Sequence, residues 1–64
     1  MPTIRVELLP GRSRDQKREI AKGLTDVLVQ QGGATPASVH VIFTEVDPSD
    51  WAVAGTLIAE REKA

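Results

Sequence analysis

Polar and apolar residues alternate from Thr3 to Leu9, with Ile4, Val6 and Leu8 on one side and Thr3, Arg5 and Glu7 on the other. That period of two predicts a half-buried strand, which Pro10 and Gly11 end. Ser13 stands three residues before Gln16. At that spacing a hydroxyl and an amide side chain satisfy each other's backbone donors at a helix start, so a helix of about 18 residues is predicted from Arg14. Ile20, Ala21, Leu24, Val27 and Leu28 form its apolar stripe, and Lys17, Arg18, Lys22, Asp26 and Gln30 take the solvent side. Gly32 and Gly33 stop it. Gly23 lies inside and costs about 1 kcal/mol relative to alanine, a penalty that we read as tolerated rather than required for close packing.

Thr35 and Pro36 have the character of a cap and first position of a short turn, after which Val39 to Val46 reads as a second strand. Val41, Ile42 and Phe43 leave neither of its faces polar. Such a strand belongs inside a sheet, with one face on the helix and the other on a second subunit. A helix of this length runs ~27 Å, enough to return along the first strand. The two strands are therefore expected to be parallel, joined by a right-handed crossover. Asp47-Pro48-Ser49-Asp50 is a turn, and Trp51 to Gly55 is a short apolar piece for a further strand or hairpin. From Thr56 to Ala64 the pattern is ambiguous, since Leu57 to Lys63 has helical propensity but is short and charged. The fold class expected is α+β, a single β-α-β unit with parallel strands and a C-terminal strand or hairpin, forming one domain over 1–64.

The length of 64 residues changes this picture. A chain this short buries only about 60% of the surface that it exposes when unfolded, which leaves a lone core marginal. There is no cysteine for a disulfide and no cysteine/histidine cluster for a structural metal, so self-association is the remaining source of stability. Net charge is −1 with both signs interspersed, which offers no basic stripe for nucleic-acid phosphates. No apolar run approaches the ~18 residues that span a bilayer, and the N-terminus lacks signal-peptide character. A soluble, cytoplasmic protein that binds neither nucleic acid nor membrane is expected.

Candidate chemistry starts at Pro2, which follows the initiator Met1. A small second residue permits methionine removal and would leave a free secondary amine. Taken alone, the same proline could simply begin an edge strand where no amide donor is needed. Further features accompany it. Leu9-Pro10-Gly11-Arg12-Ser13 is followed by Asp15-Gln16-Lys17, then by Ser38-Val39, Val41-Ile42 and Thr44-Glu45, and finally by an aromatic at Trp51 before small and apolar residues to Gly55. Together these resemble the 4-oxalocrotonate tautomerase family across nearly the whole chain: its N-terminal proline before an alternating strand, its Leu-x-Gly-Arg-Ser loop, its acidic-Gln-Lys helix start and its second strand.

The resemblance implies keto-enol isomerisation of a 2-oxo acid enol or a 2-hydroxymuconate-like substrate by 1,3- or 1,5-proton transfer, with Pro2 as general acid/base and no cofactor or metal. It also implies a homo-oligomer, commonly a hexamer of dimers, with sites at subunit boundaries. Arg12 falls on the family's carboxylate-binding position and Trp51 on an aromatic wall where phenylalanine is usual. His40 stands where the best-known members carry an arginine that binds the substrate carboxylate and 2-oxo group. Histidine lacks that permanent forked charge. His40 is equally readable as an interface residue on the strand face of Ile42 and Thr44, Trp51 as an interface anchor, and Arg14 as a solvated first-turn residue.

Physical chemistry bears on the site independently. An α-amino group titrates near ~7.7 to 8.0, and both an apolar wall and a nearby cation lower that value toward the optimum of a general base. Seven extended residues hold Arg12 and the start of its own strand ~23 Å apart, so a site combining Pro2 with Arg12 is shared between subunits. Two other readings stay open. One is a hydratase or dehalogenase of unsaturated acids, in which Pro2 stays protonated and Glu45, Asp47 or Asp50 activates water. The other is a non-catalytic oligomeric module.

Overall fold

The structure, a computed structural model, describes residues 1–61. Strand β1 (Thr3–Leu8) leads into helix α1 (Arg14–Gly32), which returns the chain to strand β2 (His40–Glu45). β1 and β2 pair in parallel, with Thr3 beside His40, Val6 beside Phe43 and Leu8 beside Glu45. This is the expected β-α-β unit. Both strands are shorter than the sequence pattern suggests because neighbouring turns take their ends. Val39 donates its N–H to Pro36 O at 3.3 Å and closes a 3₁₀ turn over Pro36–Ser38. Val46 still donates to Leu8 O at 2.9 Å, so the ladder outlasts β2 by one bond.

Both ends of α1 are built by local side-chain and backbone chemistry. The Ser13 hydroxyl accepts from Gln16 N–H at 3.1 Å while the Gln16 side chain accepts from Ser13 N–H at 2.8 Å, completing the capping box. At the other end Gly33 adopts a left-handed φ of 70°, and the N–H of Ala34 reaches back to Leu28 O at 3.2 Å. A Cβ built at Gly23 meets nothing within 4 Å inside the chain, in keeping with a tolerated glycine.

The helix is rotated relative to the stripe read from sequence. Ile20, Ala21, Leu24 and Leu28 are half-buried as expected, but Val27 is 52% exposed. At about 100° per residue the packed arc centres between Leu24 and Leu28, which leaves Val27 on its flank and brings Lys17 into it. Lys17 is accordingly half-buried rather than solvated.

Beyond β2, Pro48–Asp50 forms a second 3₁₀ turn capped by the Asp47 side chain. The expected C-terminal hairpin follows as β3 (Ala52–Val53) and β4 (Thr56–Leu57), paired antiparallel. Ala54 and Gly55 turn it with φ of 55° and 83°, a left-handed pair that glycine adopts freely and alanine only at a cost of roughly 1–2 kcal/mol. A single helical turn, α2 (Ile58–Arg61), closes the described chain, so the helical tendency read to Lys63 is met as far as Arg61 and then lies outside the described residues. β3, β4 and α2 pack chiefly on one another and on the 48–50 turn, forming an arm beside the β-α-β unit.

One side of the β1–β2 ribbon carries Ile4, Val6, Leu8, Val41 and Phe43, and packs under α1. The other carries Thr3, Arg5, Glu7, His40, Ile42 and Thr44, all exposed. Among the described residues Leu8, at 7% exposure, is the one buried apolar side chain. The radius of gyration is 15.0 Å, against about 11 Å for a compact chain of this length. Accessible surface is 4866 Å², where a compact monomer of 6.9 kDa presents roughly 4,000 Å². Among the described residues no helix is long and apolar enough to cross a membrane.

Candidate active site

Pro2 precedes β1 and is half-buried, next to Met1, which is 86% exposed. Its carbonyl accepts a hydrogen bond from His40 N–H at 2.9 Å. That bond ties the ring into the sheet through the carbonyl and leaves the proline nitrogen outside the ladder. Because β1 and β2 are parallel, both strands start at the same end, and His40 sits beside Thr3 immediately next to Pro2. Pro2 and His40 are thus neighbours within one chain, with the His40 side chain on the exposed sheet face.

Arg12 and Trp51 lie at the opposite end. Six residues of β1 separate Pro2 from the loop that carries Arg12, a run of ~20 Å. Arg12 is exposed, donates from Nη1 to Leu9 O at 3.4 Å and makes no ion pair among the described residues. Beside it an open groove of about 390 Å³ is lined by Arg12, Asp15, Gln16, Glu19 and Ile20. Trp51 is half-buried after the 48–50 turn and lines a second cleft of about 280 Å³ with Glu7, Val46, Asp50 and Ala52. Pro2 lines neither cleft.

The three carboxylates considered as water activators differ in how far they are engaged. Glu45 lies on the helix side of the sheet, opposite to His40, and accepts from Lys17 Nζ at 2.7 Å. Asp47 accepts from Ser49 Oγ at 2.7 Å and from Ser49 N–H at 2.8 Å. Those two hydrogen bonds, the hydroxyl first, hold its pKa below the ordinary aspartate value. Asp50 faces the Trp51 cleft, with its backbone N–H on Asp47 O at 2.7 Å. Sequence reasoning missed the Lys17–Glu45 pair, whose partners lie 28 positions apart and leave no local signal.

A model of the tautomerase enzyme family matches residues 2–61. A probable tautomerase of Ralstonia nicotianae is 40% identical over 60 residues, covering 94% of this chain and 92% of the relative. Among solved structures, TomN, a 4-oxalocrotonate tautomerase homologue in the tomaymycin biosynthetic pathway, superposes with a TM-score of 0.95 at 36% identity over 98% of this chain and 97% of its own. A heterohexamer 4-oxalocrotonate tautomerase from Chloroflexus aurantiacus gives a TM-score of 0.88 at 37% identity over 94% and 97%. With its fold and these matches along nearly its full length, the chain belongs to the 4-oxalocrotonate tautomerase family.

The lowered pKa of Asp47 generates a prediction about the turn before Trp51. A carboxyl whose folded pKa lies below its unfolded one stabilises the fold fully above the unfolded value and ceases to as pH falls through the folded one. Asp47→Asn should therefore unfold at lower denaturant than the parent at neutral pH, and the gap should close as pH drops through and below the aspartate range near ~3.9. A gap that stays constant across that range would contradict the assignment.

Proposed function

We propose that the protein catalyses keto-enol isomerisation of 2-oxo acid enols, with Pro2 as the general acid/base, in a homo-oligomer whose sites are completed by neighbouring copies. The observation that carries this reading is the attachment of Pro2 through its carbonyl, which orients the ring and leaves its nitrogen uncommitted. While Met1 is present that nitrogen is an amide with no basic lone pair. Once Met1 is removed it is a secondary amine. The amine takes the enol hydroxyl proton, the O–H bonding pair closes to a carbonyl, and the displaced C=C pair takes the proton back from the ammonium at the third or fifth atom counted from the oxygen.

Two further effects support Pro2 as a base near neutrality. An apolar wall from Trp51 and the guanidinium of Arg12 each disfavour the ammonium form. Both lie at the far end of the strand from their own Pro2, so they act on the Pro2 of another copy. The same Arg12 is suited to hold the substrate carboxylate by charge-assisted hydrogen bonds. Assembly is supported by the surface left uncovered on one chain, where Ile42, Val27 and Val53 are 42%, 52% and 48% exposed. The Chloroflexus relative is itself a heterohexamer; for this chain a hexamer of identical copies is the species we propose.

Native mass spectrometry at low micromolar concentration should show that hexamer, and a folded monomer would contradict both assembly and a shared site. Intact mass measured beside activity on 2-hydroxymuconate and phenylenolpyruvate should show rate only in protein lacking Met1, with Pro2→Ala losing most of it. Full activity with Met1 retained would refute the proposed base.

His40 sets the third prediction of this reading. Neutral imidazole offers a single donor, whereas arginine offers a fixed fork, and charge-assisted pairs are roughly twice as strong as neutral ones. A dicarboxylate requires cations at both ends. His40→Arg should raise kcat/KM for 2-hydroxymuconate at least about tenfold, equivalent to ~1.4 kcal/mol in transition-state binding. Phenylenolpyruvate should gain less, because its far end is apolar and suits Trp51. Unchanged rates on both substrates in an intact oligomer would leave His40 as an interface residue.

A further inference from the structure

The loop from Leu9 to Ser13 carries Arg12, yet its own contacts do little to hold it. The hydrogen bond from Arg12 to Leu9 O is long, at 3.4 Å, and remains within the loop. The Ser13–Gln16 capping box organises only the start of the helix. What relates the two ends of this loop lies outside it. At its beginning, Leu8 is the register partner of Glu45, and Val46 N–H donates to Leu8 O at 2.9 Å. At its end, Lys17 N–H donates to Ser13 O at 3.0 Å. The side chains of those two flanking positions then meet: Lys17 Nζ lies 2.7 Å from Glu45 Oε2, joining residues 28 apart in sequence. The other ion pair among the described residues, Arg18–Asp15, is local to the helix surface.

We infer that Lys17 and Glu45 are a positioning pair for Arg12, an ionic staple that closes the Arg12 loop by tying the first turn of α1 to the end of β2. The inference rests on the carboxylate-binding reading of Arg12. The side chains of the pair are 28% and 41% exposed, so solvent screens much of its Coulomb energy and its stabilising contribution is modest. Its geometric contribution is separate. A charge-assisted pair between Arg12 and a substrate carboxylate depends on the direction as well as the distance of the guanidinium, so the loop must hold its place. With the staple gone, Arg12 rides on a loop anchored at each end but free in its span.

The test uses the Met1-processed oligomer and initial rates on 2-hydroxymuconate. Lys17→Met keeps the length of the side chain and removes its charge; Glu45→Gln removes the other charge and carries the test if Lys17→Met fails to assemble. Because the Arg12–carboxylate contact is the same in ground and transition states, each should raise KM about tenfold, the scale of one weakened charge-assisted hydrogen bond, with kcat changed less than about twofold. The exchanged pair Lys17→Glu/Glu45→Lys should recover most of the loss. A purely structural role would lower activity whether or not Arg12 is present, so the decisive variant adds Arg12→Ala. In that background Lys17→Met should raise KM no further, since the two substitutions remove the same interaction. Additive effects, or an unchanged KM in Lys17→Met and Glu45→Gln while Arg12→Ala raises it, would overturn the staple and leave the Arg12 reading standing. An unchanged KM in Arg12→Ala alone would overturn both.

Discussion

Parallel pairing of β1 with β2 is the constraint from which the geometry follows. A parallel pair needs a crossover that carries the chain back to the end where the first strand began, and α1, at 19 residues and ~28 Å, has the length to do it. Both strands therefore start together, which seats His40 against Pro2 through a 2.9 Å backbone hydrogen bond. Both also finish together, which puts the Arg12 loop and the Trp51 turn at the other end. The separation of the candidate base from the candidate cation within one chain is a consequence of topology, not of any particular side chain.

Burial imposes the second constraint. A two-stranded ribbon under one helix has a single covered side, and here that side yields one buried apolar residue among those described, Leu8. The opposite face mixes Arg5, Glu7 and His40 with the apolar Ile42, and Val27 leaves an apolar flank on the helix. On the reading proposed above, the same copies that cover these surfaces deliver Arg12 and Trp51 to Pro2. Stability and catalysis then depend on one set of contacts, and a substitution that loosens the assembly lowers both together.

Much of this was legible in the sequence because its signals are local. Alternation from Thr3 to Leu9, the Ser13–Gln16 box and the Gly32-Gly33 stop each act within a few residues; the strand ends one residue early at Leu8, and the helix starts and stops where the pattern placed it. The span of α1 made the parallel pairing follow. Less legible was whatever depends on how elements meet. The stripe of α1 expected from sequence runs through Ile20, Ala21, Leu24, Val27 and Leu28, but the narrow ribbon accepts only the arc around Leu24 and Leu28, which exposes Val27 and recruits Lys17. The Lys17–Glu45 pair spans 28 positions and has no local signature. Trp51 was recognised as an aromatic of the right kind, whereas its place beside Glu7 and Val46 came only from the turn that Asp47 caps.

The proposed base is a single nitrogen, that of Pro2, and its protonation can be followed directly. In the Met1-processed oligomer with proline labelled by ¹⁵N, the amine resonance of Pro2 should titrate below the ordinary α-amino range of about 7.7 to 8.0, and its midpoint should coincide with the acid limb of kcat/KM. Such coincidence is what a general base displays when its neutral form is the reactive one. A Pro2 amine that titrates within or above the ordinary range, with a pH–rate profile that follows some other group, would contradict the account.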